Sequence, residues 1–273
     1  MKLRCPVCGQ PLEAEPQRYC CINGHSFDRA KSGYVNLLQR QSHRLRGDDP
    51  AMVAARRDFL DAGFYQPLLD GLSEVLMEYR PRTLADIGCG EGWYSCQLVD
   101  MLHKNGVSAS FCGFDISADA LRFAANRTKK MGVTDMEWAV ASINHLPLAD
   151  GECEMLMNLF APVEAAEFAR VLAPNGILLK AIPLERHLWQ LKEAVYPQPY
   201  ENRPVLDAPD GFTLESVRRI ETTVTVTGSA LQNLFAMTPY VRKTSPADAA
   251  KLAAMDSLTT ELAFGLLVCR KDC

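Results

Sequence analysis

The chain has 273 residues, of which 48% are hydrophobic and 23% are charged. This balance is typical of a folded globular protein and excludes a disordered, collagen-like or coiled-coil chain. No apolar stretch reaches the roughly 18 residues that a membrane-spanning helix needs, and the first residues contain no apolar segment that could act as a signal peptide. We therefore expect a cytoplasmic protein that does not insert into membranes.

Charge is distributed unevenly along the chain, although the net charge is only −4. Residues 1–50 contain eight Lys or Arg and five Asp or Glu, whereas the remaining 223 residues contain 21 basic and 28 acidic side chains. An anionic partner is therefore expected to bind the N-terminal part. The alternative is that this small basic excess is only a solvated surface.

Three regions follow one another along the chain. Residues 1–38 are rich in cysteine and in turn-forming residues, and we expect a small separate domain there. Residues 39–50 are polar, contain Arg40, Arg44 and Arg46, and end in turn formers, which is typical of a basic linker. Residues 51–273 show the apolar spacing of regular helices and strands, and we expect one larger domain.

Helices and strands alternate through the first part of this larger domain. Apolar residues recur at helical spacing over 51–79, which predicts one or two helices. The predicted strands cover residues 83–87, 108–115, 137–141, 154–159 and 177–182, and the predicted helices cover 91–102, 118–131, 164–172 and 187–196. Because the strands are short and most connections are helical, we expect an α/β fold with a mostly parallel, doubly wound sheet.

The alternation becomes less regular after residue 183. Residues 197–211 contain four prolines and are predicted to form a long loop, and long loops in compact domains are often functional. A strand is predicted over 221–227, helices over 230–237 and 246–255, and a last strand over 262–269. This order favours an antiparallel pair at the end of the sheet.

A glycine-rich turn follows the first predicted strand of the sheet. Gly88, Gly90 and Gly92 occupy every second position directly before a predicted helix. The dinucleotide-binding fingerprint needs its third glycine one residue later, where this chain has Trp93. A Walker loop needs a Lys followed by Ser or Thr after its last glycine, and this turn has neither. The turn is therefore predicted to approach a ligand closely without seating a pyrophosphate.

Two acids flank this turn in positions that favour one kind of ligand. Asp86 lies directly before the glycines, where a carboxylate would repel a phosphate but attract an amino group. Asp115 ends the next predicted strand, where an acid can accept both hydroxyl groups of a ribose. S-adenosylmethionine joins a ribose to an amino acid and has no phosphate, so it fits both acids. The alternative is a glycine-rich turn that binds no ligand.

The segment from Asp86 to Gly92, together with Asp115, resembles the cofactor-binding half of class I, Rossmann-like methyltransferases over residues 80–185. The resemblance implies that Ser142 lines the adenine pocket, where an acid is common in that family. It also implies cofactor contacts from the helix and strand ends beside the turn, at Tyr94, Ser95 and Ile116.

The cysteines suggest a metal site rather than disulfide bonds, because the chain is expected to be cytoplasmic. Cys5 and Cys8 are separated by two residues, and Cys21 and His25 by three, so each pair can chelate from a turn. Two such pairs supply the four ligands of a closed, structural zinc site. Cys20 is the alternative to Cys21, since it also stands near His25.

The segment 26–38 follows this predicted zinc site and precedes the methyltransferase pattern. With these three parts in this order, the chain resembles the RlmA family of 23S rRNA (guanine-N1)-methyltransferases over essentially its whole length. The resemblance extends to segments 56–67, 160–162, 186–188 and 237–239. It implies that the zinc domain helps to recognise a hairpin of 23S rRNA, that the protein is a homodimer, and that Tyr65 and His187 contact the cofactor. One group of RlmA-type enzymes is tied to macrolide-type antibiotic resistance, and the sequence does not assign the chain to a group.

Methyl transfer to guanine N1 requires a guanine in a loop or flipped out of its helix. Phe160 could stack on the base, or could be an ordinary core residue. No general base is identified by the sequence, and Glu164 is a weak candidate. Two other functions remain open, namely methylation of a small molecule or protein and RNA binding by an inactive zinc-containing protein.

Overall fold

A computed structural model describes residues 1–38 and 47–272. Within these ranges the chain forms a three-stranded sheet near the N-terminus and an eight-stranded sheet flanked by helices. The strands are β1 (Leu12–Ala14), β2 (Arg18–Cys21), β3 (Ser26–Asp28), β4 (Val35–Asn36), β5 (Thr83–Ile87), β6 (Ser110–Asp115), β7 (Met136–Val140), β8 (Cys153–Leu159), β9 (Leu172–Pro183), β10 (Phe212–Thr227) and β11 (Ser257–Lys271). The helices are α1 (Pro50–Asp61), α2 (Gln66–Tyr79), α3 (Trp93–Lys104), α4 (Ala118–Met131), α5 (Ala165–Val171), α6 (Trp189–Val195), α7 (Gly228–Ala236) and α8 (Pro246–Ala253), with a 3-10 turn at Pro239–Lys243.

The large sheet has the strand order β10-β11-β9-β8-β5-β6-β7-β4. Strands β4 to β9 pair in parallel, while β11 pairs antiparallel with β9 and β10 antiparallel with β11. The predicted Rossmann-like α/β fold, with a mostly parallel sheet and an antiparallel end, is therefore confirmed. The chain order of β8, β5 and β6 places the crossover point of the sheet at the end of β5, where α/β folds bind their ligands.

Local sequence signals explain where the helices near this point begin and end. Ser117 caps α4, because its hydroxyl accepts a hydrogen bond from the backbone N–H of Ala120 at 3.2 Å. Gly132 ends that helix in the left-handed conformation. Asp49 caps α1 in the same way as Ser117 caps α4, accepting from the backbone N–H of Met52 at 2.9 Å.

The last two strands are longer than predicted. β10 begins at Phe212, nine residues before the predicted start, and it pairs with β11 along its whole length. Most of its side chains are exposed or half-buried because it is the edge strand, so charged residues such as Arg218 and Arg219 interrupt the apolar alternation. The pattern therefore predicted only the end of the strand, where Thr and Val alternate.

The N-terminal segment adds a strand to the large sheet. β4 pairs in parallel with β7, and the backbone N–H of Leu37 donates to the carbonyl oxygen of Val140 at 2.9 Å. Val35 and Leu37 are buried in one apolar cluster with Cys5 and Cys21. The three-stranded sheet is thus packed against the edge of the large one. The linker predicted over 39–50 falls mostly on residues 39–46, which lie outside the described residues.

Across residues 1–38 and 47–272, none of the helices has the length and apolar character needed to cross a membrane.

Candidate cofactor site and metal centre

The glycine turn connects β5 to α3 at the carboxyl edge of the sheet. Gly88, Gly90 and Gly92 all have positive φ, at 78°, 55° and 75°. The backbone N–H of Gly88 donates to the carbonyl oxygen of Phe114 at 2.8 Å, so the turn is fixed to the end of β6. A side chain would strain each of these positions, which explains why glycine is found at all three.

The three glycines differ in what surrounds them. A Cβ atom on Gly88 would lie 2.6 Å from the Cβ of Ala161, and one on Gly92 would lie 2.8 Å from the Cβ of Ala124. A Cβ on Gly90 would meet nothing within 4 Å. Gly90 therefore presents its backbone to open space, as a turn that approaches a ligand must do.

Asp86 ends up almost fully buried at the start of the turn. Ser95 donates its hydroxyl proton to Asp86 Oδ2 at 2.6 Å, while Asp86 Oδ1 has no hydrogen-bond partner among the described residues. Burial raises the pKa of Asp86 to about 7, against the lowering effect of the Ser95 hydrogen bond. A buried carboxylate oxygen without a partner favours a positively charged ligand group, because such a group removes the cost of burial.

Two more buried polar atoms near the turn also lack partners in the described part of the chain. They are Oε1 of Glu91, whose residue is 2% exposed, and the hydroxyl oxygen of Tyr94. Together with Asp86 Oδ1, they give the site three unsatisfied polar atoms within nine residues of sequence. Unsatisfied buried polar groups are rare in folded proteins, so three in one place fit a polar ligand such as S-adenosylmethionine. The sequence did not identify Glu91, because an acid in a glycine-rich turn is equally typical of a solvent-exposed loop.

Asp115 stands at the end of β6, opposite the turn. Its Oδ2 accepts from the backbone N–H of Gly90 at 2.9 Å, and its Oδ1 accepts from the backbone N–H of Ser117 at 2.8 Å. Burial raises the pKa of Asp115, while these two hydrogen bonds lower it. Each oxygen keeps a second lone pair for a ribose hydroxyl. Asp115 therefore both shapes the turn and offers the acceptors that a ribose needs.

The segment that begins at Gly47 covers the end of β6. A Cβ on Gly47 would lie 2.8 Å from the Cβ of Ser117 and 2.9 Å from Cγ2 of Ile116. Ser142 follows β7 at the same edge of the sheet, where its hydroxyl accepts from the backbone N–H of Asn144 at 3.3 Å. Ile116 and Ser142 thus flank Asp115 on the side where an adenosine is predicted to bind.

Arg56 is a second residue that sequence reasoning did not assign to the site. Its Nη1 lies 2.7 Å from Oδ2 of Asp48, and its positive charge lowers the pKa of both Glu91 and Asp115 against the effect of burial. The helical spacing of the sequence could have identified Arg56 as a residue of the inner helix face. Arg56 is four residues after the buried Met52 and four before the buried Leu60, so it lies on the inner face of α1.

Tyr65 and His187 contact each other beside the residues described above, although they come from distant parts of the chain. The Tyr65 hydroxyl oxygen is 3.3 Å from His187 Nε2, and the backbone N–H of Ala263 donates to His187 Nδ1 at 3.2 Å. Burial lowers the pKa of His187 to about 3, with a smaller effect from the charge of Lys192. The His187 side chain is therefore neutral near pH 7 and does not offer a positive charge to a bound ligand. The ring of Phe264 packs against both residues.

The structure also brings together the four predicted metal ligands. The side-chain ligand atoms of Cys5, Cys8, Cys21 and His25 all lie within 4.8 Å of one another. The Sγ atoms of Cys8 and Cys21 are 3.7 Å apart, and Cys21 Sγ is 3.3 Å from His25 Nδ1. Tetrahedral zinc with Zn–S near 2.3 Å and Zn–N near 2.0 Å needs edges of about 3.8 Å and about 3.6 Å, respectively. The four atoms therefore fit one closed zinc site.

Cys20, the alternative ligand, is not part of this group. Its Sγ lies 3.6 Å from the hydroxyl oxygen of Ser26, on the other face of β2.

The pKa of Cys8 is lowered to about 6, first of all by the backbone hydrogen bond from Gln10, which favours the thiolate that binds a metal. Arg40, Arg44 and Arg46 of the predicted basic linker lie outside the described residues.

Two families of known proteins match separate parts of the chain. Residues 3–46 match the N-terminal zinc-ribbon family of RlmA, and residues 82–207 match a methyltransferase-domain family. The solved structure of YcgJ from Bacillus subtilis covers 75% of this chain and 98% of its own, with a TM-score of 0.51 at 14% identity, and supports the fold alone.

Two curated relatives resemble the chain more closely in sequence. The 23S rRNA (guanine(748)-N(1))-methyltransferase of Streptomyces fradiae is 33% identical over 281 residues, covering 98% of this chain and 96% of the relative. A Micromonospora griseorubida relative that carries a provisional 23S rRNA (guanine-N(1)-)-methyltransferase name is 37% identical over 210 residues, covering 69% of this chain and 68% of the relative. Because the first similarity spans both the zinc ribbon and the methyltransferase domain, the chain belongs to the RlmA family of 23S rRNA (guanine-N1)-methyltransferases.

Proposed function

We propose that this protein transfers the methyl group of S-adenosylmethionine to N1 of a guanine in a hairpin of 23S rRNA. The observation that carries the proposal is the 33% identity to the Streptomyces fradiae enzyme over 98% of the chain. The three unsatisfied polar atoms at the glycine turn support the cofactor, because a polar ligand bound at the turn would give them hydrogen-bond partners.

The cofactor-holding roles follow from the geometry of the site. Asp86 Oδ1 and Glu91 Oε1 are acceptors for the amino group, and the Arg56 guanidinium is a donor for the carboxylate group. Asp115 accepts from the ribose hydroxyls. The remaining contacts are proposed for Tyr65, Gly88, Gly90, Gly92, Tyr94, Ser95, Ile116, Ser142 and His187.

The reaction is an in-line displacement at carbon. When bound, the sulfonium of the cofactor supplies an electrophilic methyl group with a neutral leaving group. The N1 lone pair forms the new N–C bond as the S–C bond breaks, and the N1 proton leaves the ring. The residues of the site contribute by holding the two reactants in line, which is worth several kcal/mol in well-oriented reactions. His187 does not act as the base through its Nδ1, because that atom already accepts from Ala263.

The zinc ribbon and its basic neighbours have a separate proposed role. We assign the tetrahedral site of Cys5, Cys8, Cys21 and His25 to structural zinc, which holds the ribbon that binds the rRNA hairpin. Cationic residues in the 40–46 segment would contribute phosphate contacts, so RNA binding is expected to weaken steeply with salt. The protein would act in the cytoplasm, as a homodimer that forms an RNA-binding cleft.

The test uses unmodified 23S rRNA transcript and labelled S-adenosylmethionine. N1 methylation blocks base pairing, so primer extension on the product is expected to stop at one guanine. An Asp115→Ala variant should bind S-adenosylhomocysteine about 10- to 100-fold more weakly, since hydrogen bonds to a charged acceptor are worth about 1.5–3 kcal/mol. A protein that binds the cofactor product but labels no rRNA would contradict the substrate assignment. A protein that binds neither cofactor nor product would contradict the whole proposal.

A further inference from the structure

A large cavity opens at the carboxyl ends of β8 and β9, which follow β5 in the sheet on the side away from β6. Its volume is about 1170 Å³. Side chains of β8 and β9 form its floor, and the proline-rich loop between α6 and β10 forms its outer wall. Pockets for small molecules occupy roughly 300–1,000 Å³, so this cavity can hold a nucleotide together with part of the adjoining strand.

One short segment of the chain separates the cavity from the glycine turn. Ala161 lines the cavity, and its Cβ lies 2.6 Å from the position of a Cβ on Gly88. Asn158 also lines the cavity and directly follows Met157, which pairs with Asp86 in the sheet. A group bound in the cavity therefore lies next to a ligand held by the turn.

The separating segment is strained at its centre. Phe160 has a φ of 59°, a conformation that costs an aromatic residue about 1–2 kcal/mol. Its side chain is nevertheless 44% exposed, and its ring centroid is 5.9 Å from that of Phe264, which packs against Tyr65 and His187. Strain that is kept without burying the side chain indicates a functional constraint. Phe160 stands between the cavity and the aromatic side of the proposed cofactor site.

Lys180 lines the floor of the cavity and is not neutralised by the protein. The residue is only 8% exposed, yet its ammonium group forms no hydrogen bond or ion pair with any residue in 1–38 or 47–272. The ammonium nitrogen itself still reaches solvent, so a ligand in the cavity can accept a hydrogen bond from it. Its cross-strand neighbour Asn158, which also lines the cavity, uses its amide N–H to donate to the carbonyl oxygen of Pro162 at 2.9 Å and receives no hydrogen bond at Oδ1 from the described residues.

The walls of the cavity have the composition of a nucleotide site. Trp189 and Tyr200 supply aromatic surfaces, and the exposed Arg203 at the mouth has no ion-pair partner in the described chain. Lys192 holds the outer wall in place, because its Nζ donates to the carbonyl oxygen of Tyr200 at 3.0 Å and to Oδ1 of Asn202 at 2.6 Å. Aromatic faces with unpaired cations are the features by which proteins bind unstacked bases and their phosphates.

We propose that this cavity receives the flipped-out target guanine and that Lys180 donates a hydrogen bond to guanine O6. The inference rests on the proposed function, because it names the subsite at which that reaction takes its substrate. Guanine O6 is an acceptor in both protonation states of the ring, and it gains negative charge when the N1 proton leaves to water. An ammonium at O6 stabilises that charge, so N1 attacks the methyl carbon at a lower pH than free guanine would. The S–C bond breaks as the N1–C bond forms, so the charge on O6 disappears with the transfer.

The test compares Lys180→Met, which keeps the length of the side chain and removes its charge, with Lys104→Met as a control. Lys104 is exposed at the end of α3 and pairs with Asp100, away from the cavity. Binding of GMP to the zinc-loaded protein, saturated with S-adenosylhomocysteine, is followed by saturation-transfer NMR. Single-turnover methylation of 23S rRNA is measured from pH 6 to pH 9. The charged or titratable groups that face Lys180 are Cys269 on β11 and Glu201 and Arg203 in the loop, and they are unchanged in both variants.

Lys180→Met is expected to lose the GMP signal and to slow methylation 10- to 100-fold at pH 7. The deficit should shrink toward pH 9, where guanine loses its N1 proton without help, and a merely misfolded variant would show no such recovery. Lys104→Met should behave as the wild type does. Unchanged GMP binding and an unchanged pH profile in Lys180→Met would overturn the inference while leaving the proposed function intact. Lys180-dependent GMP binding in a protein that methylates no rRNA would instead support the cavity and refute the proposed function.

Discussion

The Tyr65 hydroxyl oxygen lies 3.3 Å from His187 Nε2, although 122 residues separate the two in the chain. Because Nδ1 of His187 accepts from the backbone N–H of Ala263, a neutral imidazole must carry its proton on Nε2. His187 therefore donates to Tyr65, and the Tyr65 hydroxyl proton is free to point elsewhere. This pair fixes one tautomer of a buried histidine beside the proposed cofactor site.

The low pKa of His187 predicts a loss of stability in acid. Its pKa is about 3 in the folded protein because of burial, against an ordinary value near 6.5. Above pH 6.5 it is neutral in both the folded and the unfolded state, so it has no effect. As the pH falls from 6.5 toward 3, only the unfolded chain takes up the proton, and the free energy of unfolding decreases by about 2–3 kcal/mol at pH 4.5.

The measurement is urea unfolding of the wild type and a His187→Gln variant at pH 7.5 and at pH 4.5. The variant should lose less stability between these two values, because glutamine does not titrate while its amide oxygen can still accept from Ala263. Other titrating groups are common to both proteins and cancel in the comparison. Equal losses in the two proteins would show that His187 is accessible to protons in the folded state.

The glycines of the turn predict a separation between stability and cofactor affinity. In Gly92→Ala the new methyl group would lie 2.8 Å from the Cβ of Ala124 and 2.9 Å from a ring carbon of Trp138, so the free energy of unfolding should fall by about 2–4 kcal/mol. In Gly90→Ala the methyl group meets nothing within 4 Å, and the loss should be only about 1–2 kcal/mol from the positive φ.

The affinity for S-adenosylhomocysteine should be reduced more by Gly90→Ala, the substitution that costs less stability. The methyl group of Gly90→Ala projects into the space where the cofactor approaches the turn, so its dissociation constant should rise at least tenfold in calorimetry. Gly92→Ala should lose less affinity than Gly90→Ala at a temperature where it is still folded, because its methyl group is directed toward Ala124 and Trp138. If Gly90→Ala bound as tightly as the wild type, the open side of Gly90 would not be the cofactor side.

The sequence predicted the features of this site that depend on local pattern. The alternation of short strands and helices, the glycine spacing and the acid at the end of β6 are all local signals, and each indicated the correct part of the fold. Glu91 and Arg56 were missed because their importance comes from burial, which single residue types do not reveal. β4 was missed as a strand of the large sheet, since its pairing with β7 joins segments about a hundred residues apart.

The two adjacent cysteines of β2 provide a matched pair for testing the metal site. Cys21 Sγ lies with the other three ligand atoms, whereas Cys20 Sγ faces Ser26. Cys21→Ser should reduce the zinc content of the purified protein from one ion to nearly none, because serine is a poor zinc ligand. Cys20→Ser should keep the full zinc content. Atomic emission measurements on both proteins decide the assignment, and zinc loss in Cys20→Ser with retention in Cys21→Ser would reverse it.

Asp86 predicts that cofactor affinity depends on pH near neutrality. Burial raises its pKa to about 7, so at pH 6 most of the free protein carries a protonated carboxyl group at this position. An amino group placed at Oδ1 favours the carboxylate, and binding must therefore expel the proton. S-adenosylhomocysteine, whose amino group stays protonated in this range, should bind about tenfold more tightly at pH 8 than at pH 6.

Calorimetry in two buffers with different protonation enthalpies counts the protons released, and nearly one proton per cofactor molecule is expected at pH 6. The Asp86→Asn variant is the control, because it keeps the shape of the side chain and an acceptor for Ser95 but has no titrating group. It should bind more weakly, with no proton release and little change in affinity between pH 6 and pH 8. An equally steep pH dependence in Asp86→Asn would mean that another group, with the buried Glu91 as the first candidate, receives the amino group.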